Sequence, residues 1–243
     1  MEKKYAIFTA LIITLIIAGN YLFFYDFDSG REIVVVGRVM DGDTVELDDG
    51  RKIRLLNINT PEKGRAFSDE AFDFLKTLEG NSVELDAEGV DRYGRTLGRI
   101  YSDKYINLEI VRLGLAHKYL VDEKELGDFI KAEEEAIGNG WGIWQRSEFY
   151  GCLNVEINKY EEYVLIKDNC GLNFGGWNLK DESTKIYKMD NVREKEFKIY
   201  SAKKDDKDGE YYWGRGEAWN DDKDSIFITD ANGLIVYYDS YGY

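Results

Sequence analysis

The sequence predicts an α+β small barrel followed by an all-β sandwich, with a transmembrane helix in front of both. Three observations predict it. Tyr5–Tyr25 is an uncharged apolar run, residues 33 to about 146 alternate strand and helix patterns, and only short alternating strands follow Cys152. At 243 residues the chain is long for one ordinary domain, and 44% apolar with 14% aromatic residues is enough to build a core. Two domains are expected.

As a helix rising ~1.5 Å per residue, residues 5–25 would reach roughly 30 Å, the thickness of a bilayer's hydrocarbon layer. Lys3 and Lys4 precede the run while Asp26, Asp28 and Glu32 follow it. The positive-inside bias then puts the N-terminus in the cytoplasm and everything after residue 26 outside. A cleaved signal peptide is the alternative, but no A-x-A-like site follows the run. Residues 1–26 are therefore expected to be an anchor or a signal. The protein is expected to be membrane-anchored and extracytoplasmic, or secreted if the segment is cleaved.

Strands are read at Ile33–Val39, Thr44–Asp48 and Arg51–Ile58, the last two joined by the hairpin signal Asp49-Gly50. Ser68 is a plausible N-cap for a helix in which Ala71, Phe72, Leu75 and Leu78 repeat at helical spacing up to Gly80. Strands at Ser82–Asp86 and Thr96–Tyr101 precede a short helix capped near Asn107 and a longer one from about Glu125 to Ile137. That order is α+β, built round a small barrel. Beyond Cys152, the runs LNVEINK, EYVLIKD, EFKIYSA, SIFITD and LIVYYDSY, with turns at Asp208-Gly209 and Asn232-Gly233, read as a β-sandwich.

The net charge of −15 argues against broad, non-specific nucleic-acid binding. Residues 33–150 alone carry 16 Lys/Arg against 24 Asp/Glu, so any nucleic-acid contact must be local and shallow in its salt dependence. With His117 the only histidine, paired-histidine metal sites and double-histidine phosphodiesterase mechanisms are excluded. Ser-His-Asp or Cys-His hydrolysis remains only if His117 serves in it. Cys152 and Cys170 have no histidine partners for structural zinc, and outside the cell a disulfide is the natural reading over two free thiols.

Three clusters put acids and arginines at strand ends. Asp41-Gly42-Asp43-Thr44 sets two carboxylates about a glycine, as a hard oxygen-seeking cation requires, though an Asx turn has the same pattern. Arg54 in RLLNINTPE is followed by Asn59, Thr60, Pro61 and Glu62, which brings a guanidinium fork and a carboxylate towards one rim. Asp91-Arg92-Tyr93-Gly94-Arg95 is a polar turn from which Arg95 projects. Phosphodiester hydrolysis needs such parts: a cation and fixed donors on the equatorial oxygens, and a base in line with the leaving oxygen. With so little histidine, a carboxylate must be that base.

In this order and spacing the clusters resemble the staphylococcal nuclease family, whose motifs run D-G-D-T, R-L-L-x-(V/I)-(D/N)-T-P-E and D-(R/K)-Y-G-R. NLEIVRLGLA and GNGWGIW extend the likeness over about Ile33–Arg146. The resemblance implies an OB-fold β-barrel with helices over residues 32–148, Ca²⁺-dependent hydrolysis, and DNA or RNA as substrate. It implies catalytic roles for Arg54 and Arg95 on the scissile phosphate and for Glu62 on the attacking water. It assigns Asp43, Asp41, Thr60 and Asn59 to Ca²⁺, and Tyr93 and Tyr119 to nucleotide contacts. Asn59 stands where many members carry an aspartate, which predicts weaker metal binding. No obligate protein partner is implied.

EEYVLIKDNC, GGWNLKDE, YYWGRGEAWND and the closing LIVYYDSYGY resemble a lamin-tail domain, which implies an Ig-like all-β sandwich over residues 151–243. Its tryptophans are expected in the core. Two other readings stay open: a binding module that keeps the barrel without the chemistry, and a surface-binding protein whose working part is the second domain.

Overall fold

The computed structural model of the chain describes Thr14 and residues 30–243. Apart from Thr14, the expected anchor at residues 5–25 lies outside the described residues. Among those described, no helix is long and apolar enough to cross a membrane.

Five strands, β1 (Glu32–Asp41), β2 (Thr44–Leu47), β3 (Lys52–Leu55), β5 (Ser82–Val90) and β6 (Thr96–Tyr101), close into a barrel in the order β1-β2-β3-β6-β5. The pattern behind it is simple alternation. Val34, Val36 and Val39 of β1 point inward with Val45, Ile53, Leu85 and Ile100, while Arg38 and Glu46 stay outside and pair with one another. Removing such side chains from water stabilises by about 1.5–3 kcal/mol each. A two-stranded ladder of β4 (Ile58–Asn59) and β7 (His117–Lys118) lies beside the barrel.

Helix α1 (Ser68–Lys76) buries Ala71 and Leu75 against the barrel, and α2 (Ile106–Arg112) buries Ile110 and Val111. Helix α3 (Glu123–Asn139) adds Phe129 and Ala132. Two expected caps turn out otherwise. Ser68 is the first helical residue, preceded by Phe67 in the left-handed region (φ 65°), and its Oγ accepts from Gly64 N (3.2 Å) instead of capping. Asn107 lies inside α2, fully buried: its Oδ1 accepts from Ile100 N, and its Nδ2 donates to Leu56 O (2.9 Å) and Gly98 O (3.0 Å). It ties β6 to the end of β3. The GNGWGIW segment closes on the same body through a glycine contact. A Cβ on Gly114 would lie 2.3 Å from Trp141 O, and one on Gly142 would lie 2.0 Å from Gly114 O.

The second half is two four-stranded sheets. One runs β11 (Ile186–Lys188), β10 (Asn178–Lys180), β14 (Asp224–Thr229), β15 (Ile235–Tyr241); the other runs β13 (Glu210–Tyr212), β12 (Glu196–Tyr200), β9 (Tyr163–Asp168), β8 (Leu153–Asn158). Leu179, Ile226, Ile228 and Val236 of the first face Val164, Ile166, Phe197 and Ile199 of the second in one core, which makes a β-sandwich. Trp177 and Trp219 are buried in it, as expected. Cys152 and Cys170 are disulfide-bonded, with Cα atoms 5.5 Å apart.

The halves meet on a shared apolar seam of Ala136, Trp144, Phe227 and Ile235, with Tyr238 against Trp144. Polar contacts cross it as well: Ser147 Oγ donates to Asp230 Oδ2 (2.6 Å) and Tyr238 OH to Glu133 Oε2 (3.3 Å).

Candidate active site

Three segments converge at one rim of the barrel. In the β1–β2 turn the Asp43 amide donates to Asp41 Oδ1 (3.1 Å), forming an Asx turn. Gly42 between them is required by space: a Cβ there would meet Thr60 Oγ1 at 2.7 Å and the Ala71 methyl at 2.8 Å. The turn therefore lies flush against the Thr60 segment and α1. The β2–β3 register sets Thr44 opposite Arg54.

Arg54 reaches Asp43 Oδ2 (3.0 Å). The same Nη2 donates to Ile58 O (2.9 Å) and Asn59 Oδ1 (3.2 Å), and Nη1 to Leu55 O. Thr60 Oγ1 donates to Asp43 Oδ2 (3.3 Å) and Thr44 Oγ1 to Asp43 Oδ1 (2.9 Å). Arg95, whose Nε is held by Asp91 Oδ2 at 2.8 Å, sends Nη1 to Thr44 Oγ1 (3.3 Å). Asp43, Arg54, Asn59, Thr60 and Arg95 are thus one contact network.

Burial pushes the Asp43 carboxyl up to about 6 against the attraction of Arg54, and the nearby Asp41 charge pushes it further the same way. A buried carboxylate beside a second one, compensated by a single guanidinium, is short of positive charge. The Asp41 and Asp43 carboxylates and the Thr60 and Thr44 hydroxyls that meet here present only oxygen, the ligand type that a hard divalent cation takes. Among the described residues no group of three or more His, Cys, Asp or Glu side chains is arranged to hold a metal. Asn59 has both ends of its amide engaged, Oδ1 by Arg54 and Nδ2 by the Glu182 carbonyl (3.1 Å).

Glu62 is exposed two residues beyond Thr60 and makes no side-chain hydrogen bond or ion pair among the described residues. It lines a cavity of about 230 Å³ together with Asn59 and Thr60. Tyr93 is 69% exposed beside the guanidinium groups of Arg92 (4.8 Å) and Arg95 (5.6 Å). Tyr119 lies in a different, more polar cleft formed with Asp181, Glu182 and Arg215 of the sandwich. Burial and the Asp181 charge raise its phenol, opposed by Arg54.

His117 forms no hydrogen bond to Asp43, Arg54, Glu62 or Arg95 among the described residues. It is buried in β7 opposite Asn59, and burial, reinforced by the positive charge of Lys180, depresses its pKa well below the usual value. The imidazole is therefore neutral. Its Nδ1–H donates to Lys118 O (2.9 Å), which leaves Nε2 to accept from Lys180 Nζ (2.9 Å). Lys180, Glu182 and the bridging role of Thr44 were not read from the sequence. Thr44 carried a signal there as the last letter of D-G-D-T, and Lys180 and Glu182 only as part of GGWNLKDE, which pointed to the sandwich.

A closed five-stranded barrel with two arginines, a buried aspartate and a Thr-Pro-Glu segment towards one rim defines an OB-type barrel. The family described as staphylococcal nuclease homologue matches residues 52–146. The chain is 42% identical over 90 residues to an uncharacterized endonuclease of Escherichia coli O157:H7, covering 35% of this chain and 59% of that protein. It is 37% identical over 115 residues to an uncharacterized endonuclease of Haemophilus influenzae, covering 45% and 64%. It is 32% identical over 134 residues to a thermonuclease of Staphylococcus intermedius, covering 49% and 80%. The chain belongs to the staphylococcal nuclease family. It spans about three fifths of the length of the Escherichia coli and Haemophilus relatives.

Proposed function

We propose that the protein is a Ca²⁺-dependent nuclease that hydrolyses phosphodiester bonds of DNA or RNA outside the cytoplasm. The observation that carries this is the Asp43–Arg54–Thr44–Arg95 network. It holds two guanidinium groups and an acidic oxygen cluster at one rim, and Glu62, a carboxylate without a partner among the described residues, follows two residues beyond Thr60, which bonds to Asp43.

The roles follow from chemistry. Arg54 and Arg95 stay charged and fork onto phosphate oxygens, and they are preorganised by Asp43 and Asp91. Glu62, with no partner to release, takes the proton of the attacking water. Asp43, Asp41 and the Thr60 carbonyl would hold Ca²⁺, which supplies Lewis-acid charge to the phosphoryl oxygen. Asn59 acts by fixing Arg54 and by tying the rim to the sandwich. The disulfide supports an oxidising compartment, and the Lys3–Lys4 to Asp26–Asp28 asymmetry supports an anchor ahead of it. The sandwich fits a lamin-tail-like, Ig-like domain in its two packed sheets and buried Trp177 and Trp219.

The second reading, a barrel that binds without cutting, is favoured by the engaged Asn59 amide, which lowers the charge available to a metal. Purified chain incubated with single- and double-stranded DNA and with RNA, in Ca²⁺ or in chelator, separates the two. The nuclease reading expects Ca²⁺-dependent cleavage that drops at least about 10²-fold in Glu62→Gln. Cleavage indifferent to that change, or none at all, would remove it.

A further inference from the structure

The 230 Å³ cavity belongs to both halves of the molecule. One wall is the Asn59–Phe67 segment that carries Glu62, and the opposite wall is the β11-β10-β14-β15 sheet, including Asn178 and Lys180, with Thr184 in the turn between β10 and β11.

Lys180 gives this cavity its chemistry. It is partly exposed as a residue, but its ammonium is enclosed, stacked over Phe227 at 4.5 Å and hydrogen-bonded to the neutral His117. That is its only hydrogen bond among the described residues, and it makes no ion pair there. Asp181, Glu182, Asp224 and Glu133 act on it only at longer range, and burial brings its pKa down to about 8, so it is charged at neutral pH. An ammonium has three donors, and two of these are unspent. Arg65 adds a second cation to the lining. No carboxylate lies within ion-pair distance of this enclosed cation among the described residues, so its two unspent donors are open to an anion.

The site also connects to the catalytic rim. Lys180 contacts His117, His117 pairs across the ladder with Asn59, and Asn59 Oδ1 holds Arg54. We propose that this cavity is a subsite for a phosphodiester group of the substrate strand next to the one cleaved, with Lys180 of the sandwich as its cation. The second domain is then part of the substrate-binding surface. The proposal rests on the nuclease reading for the identity of the anion, and it makes single strands the preferred substrate.

The test measures binding in chelator, where hydrolysis is stopped, by fluorescence anisotropy of a labelled single-stranded oligothymidylate octamer titrated with the full chain. Lys180→Gln should weaken binding roughly fivefold and reduce the log–log salt slope by about 0.7, the loss of one phosphate contact on a single strand. Lys180→Arg should stay within about twofold of the parent in affinity and keep its slope. Thr184→Glu, an exposed change at the cavity wall that spares the core, should weaken binding by a similar factor. The proposal is overturned if Lys180→Gln keeps the parent slope or if Thr184→Glu binds as the parent does. If these shifts appear but the parent never cleaves with Ca²⁺, the nuclease reading falls and the subsite stands. If the parent cleaves and the slopes do not move, the reverse holds.

Discussion

Glu133→Gln tests how the two halves are held together. Lys118 and Glu133 form an ion pair with both side chains 4% exposed. The carboxylate also accepts from Lys118 N at 2.9 Å and from Tyr238 OH at 3.3 Å, so one group on α3 serves β7 and β15 together. A glutamine of the same shape has one acceptor oxygen, so it can keep the bond from the Lys118 amide but turns a donor-only NH2 towards Lys118 Nζ and Tyr238 OH, and it leaves the buried Lys118 ammonium stacked on Tyr243 (4.0 Å) without its ion-pair partner. Stranding a buried charge in this way costs about 3–5 kcal/mol. For a chain of this size that is a fall in Tm of roughly 6–20 °C, at about 2–4 °C per kcal/mol. Thermal melting followed by far-UV circular dichroism reads it. The double variant Glu133→Gln/Lys118→Met should recover most of the loss, because no unpaired charge remains. A Glu133→Gln variant within about 1 kcal/mol of the parent, or a double variant no better than the single one, would refute this reasoning.

Three other outcomes are expected. Asp224 is buried, and burial raises its carboxyl to about 6 despite the Asn220 and Ser225 amides, so its stabilising protonated form is lost as pH rises from about 4 through 6. Asp224→Asn should therefore be more stable than the parent at pH 7.5, by about 1–3 kcal/mol, and indistinguishable from it at pH 4, as urea titrations at both pH values will show. Reducing Cys152–Cys170, which spans 18 residues, should cost about 3 kcal/mol on the same titrations, with the loss confined to the sandwich. Asn107→Ala, which unpairs backbone groups at Ile100, Leu56 and Gly98, should cost about 2–4 kcal/mol and raise amide exchange at the β3–β6 junction.

What could be read from the sequence was whatever local pattern dictates. Asp49-Gly50 announces its hairpin, and the alternation of Val34, Val36, Val45 and Ile53 announces a half-buried barrel wall. The acid and arginine clusters were visible because each falls within a short segment, Asp41 to Thr44 and Arg54 to Glu62. Long-range partners were invisible. Asn107 looks like a cap by residue type, yet it pins strands 7 to 51 residues away. The two-residue ladder of Asn59 and His117 is too short to leave any periodicity, and β10, β11 and β13 are three residues each. Lys180 sits in GGWNLKDE, a segment that signals only the sandwich, and acquires meaning only when the sandwich folds back onto the barrel and sets it against His117. Ser68 misled because a serine ahead of acidic residues is the usual start of a helix. Here the backbone reverses one residue earlier, at Phe67.

On the proposed reading, Arg54, Arg95 and the Asp43 cluster hold one phosphate together with a divalent ion. Calorimetric titration of thymidine 3′,5′-bisphosphate into the full chain, with and without Ca²⁺, measures that directly in the parent and in Arg54→Gln and Arg95→Gln. Ca²⁺ and the nucleotide should tighten one another's binding, and each arginine change should weaken the nucleotide by about 10- to 150-fold, the worth of a charge-assisted bond. Nucleotide binding that ignores Ca²⁺ and survives loss of both arginines would contradict it.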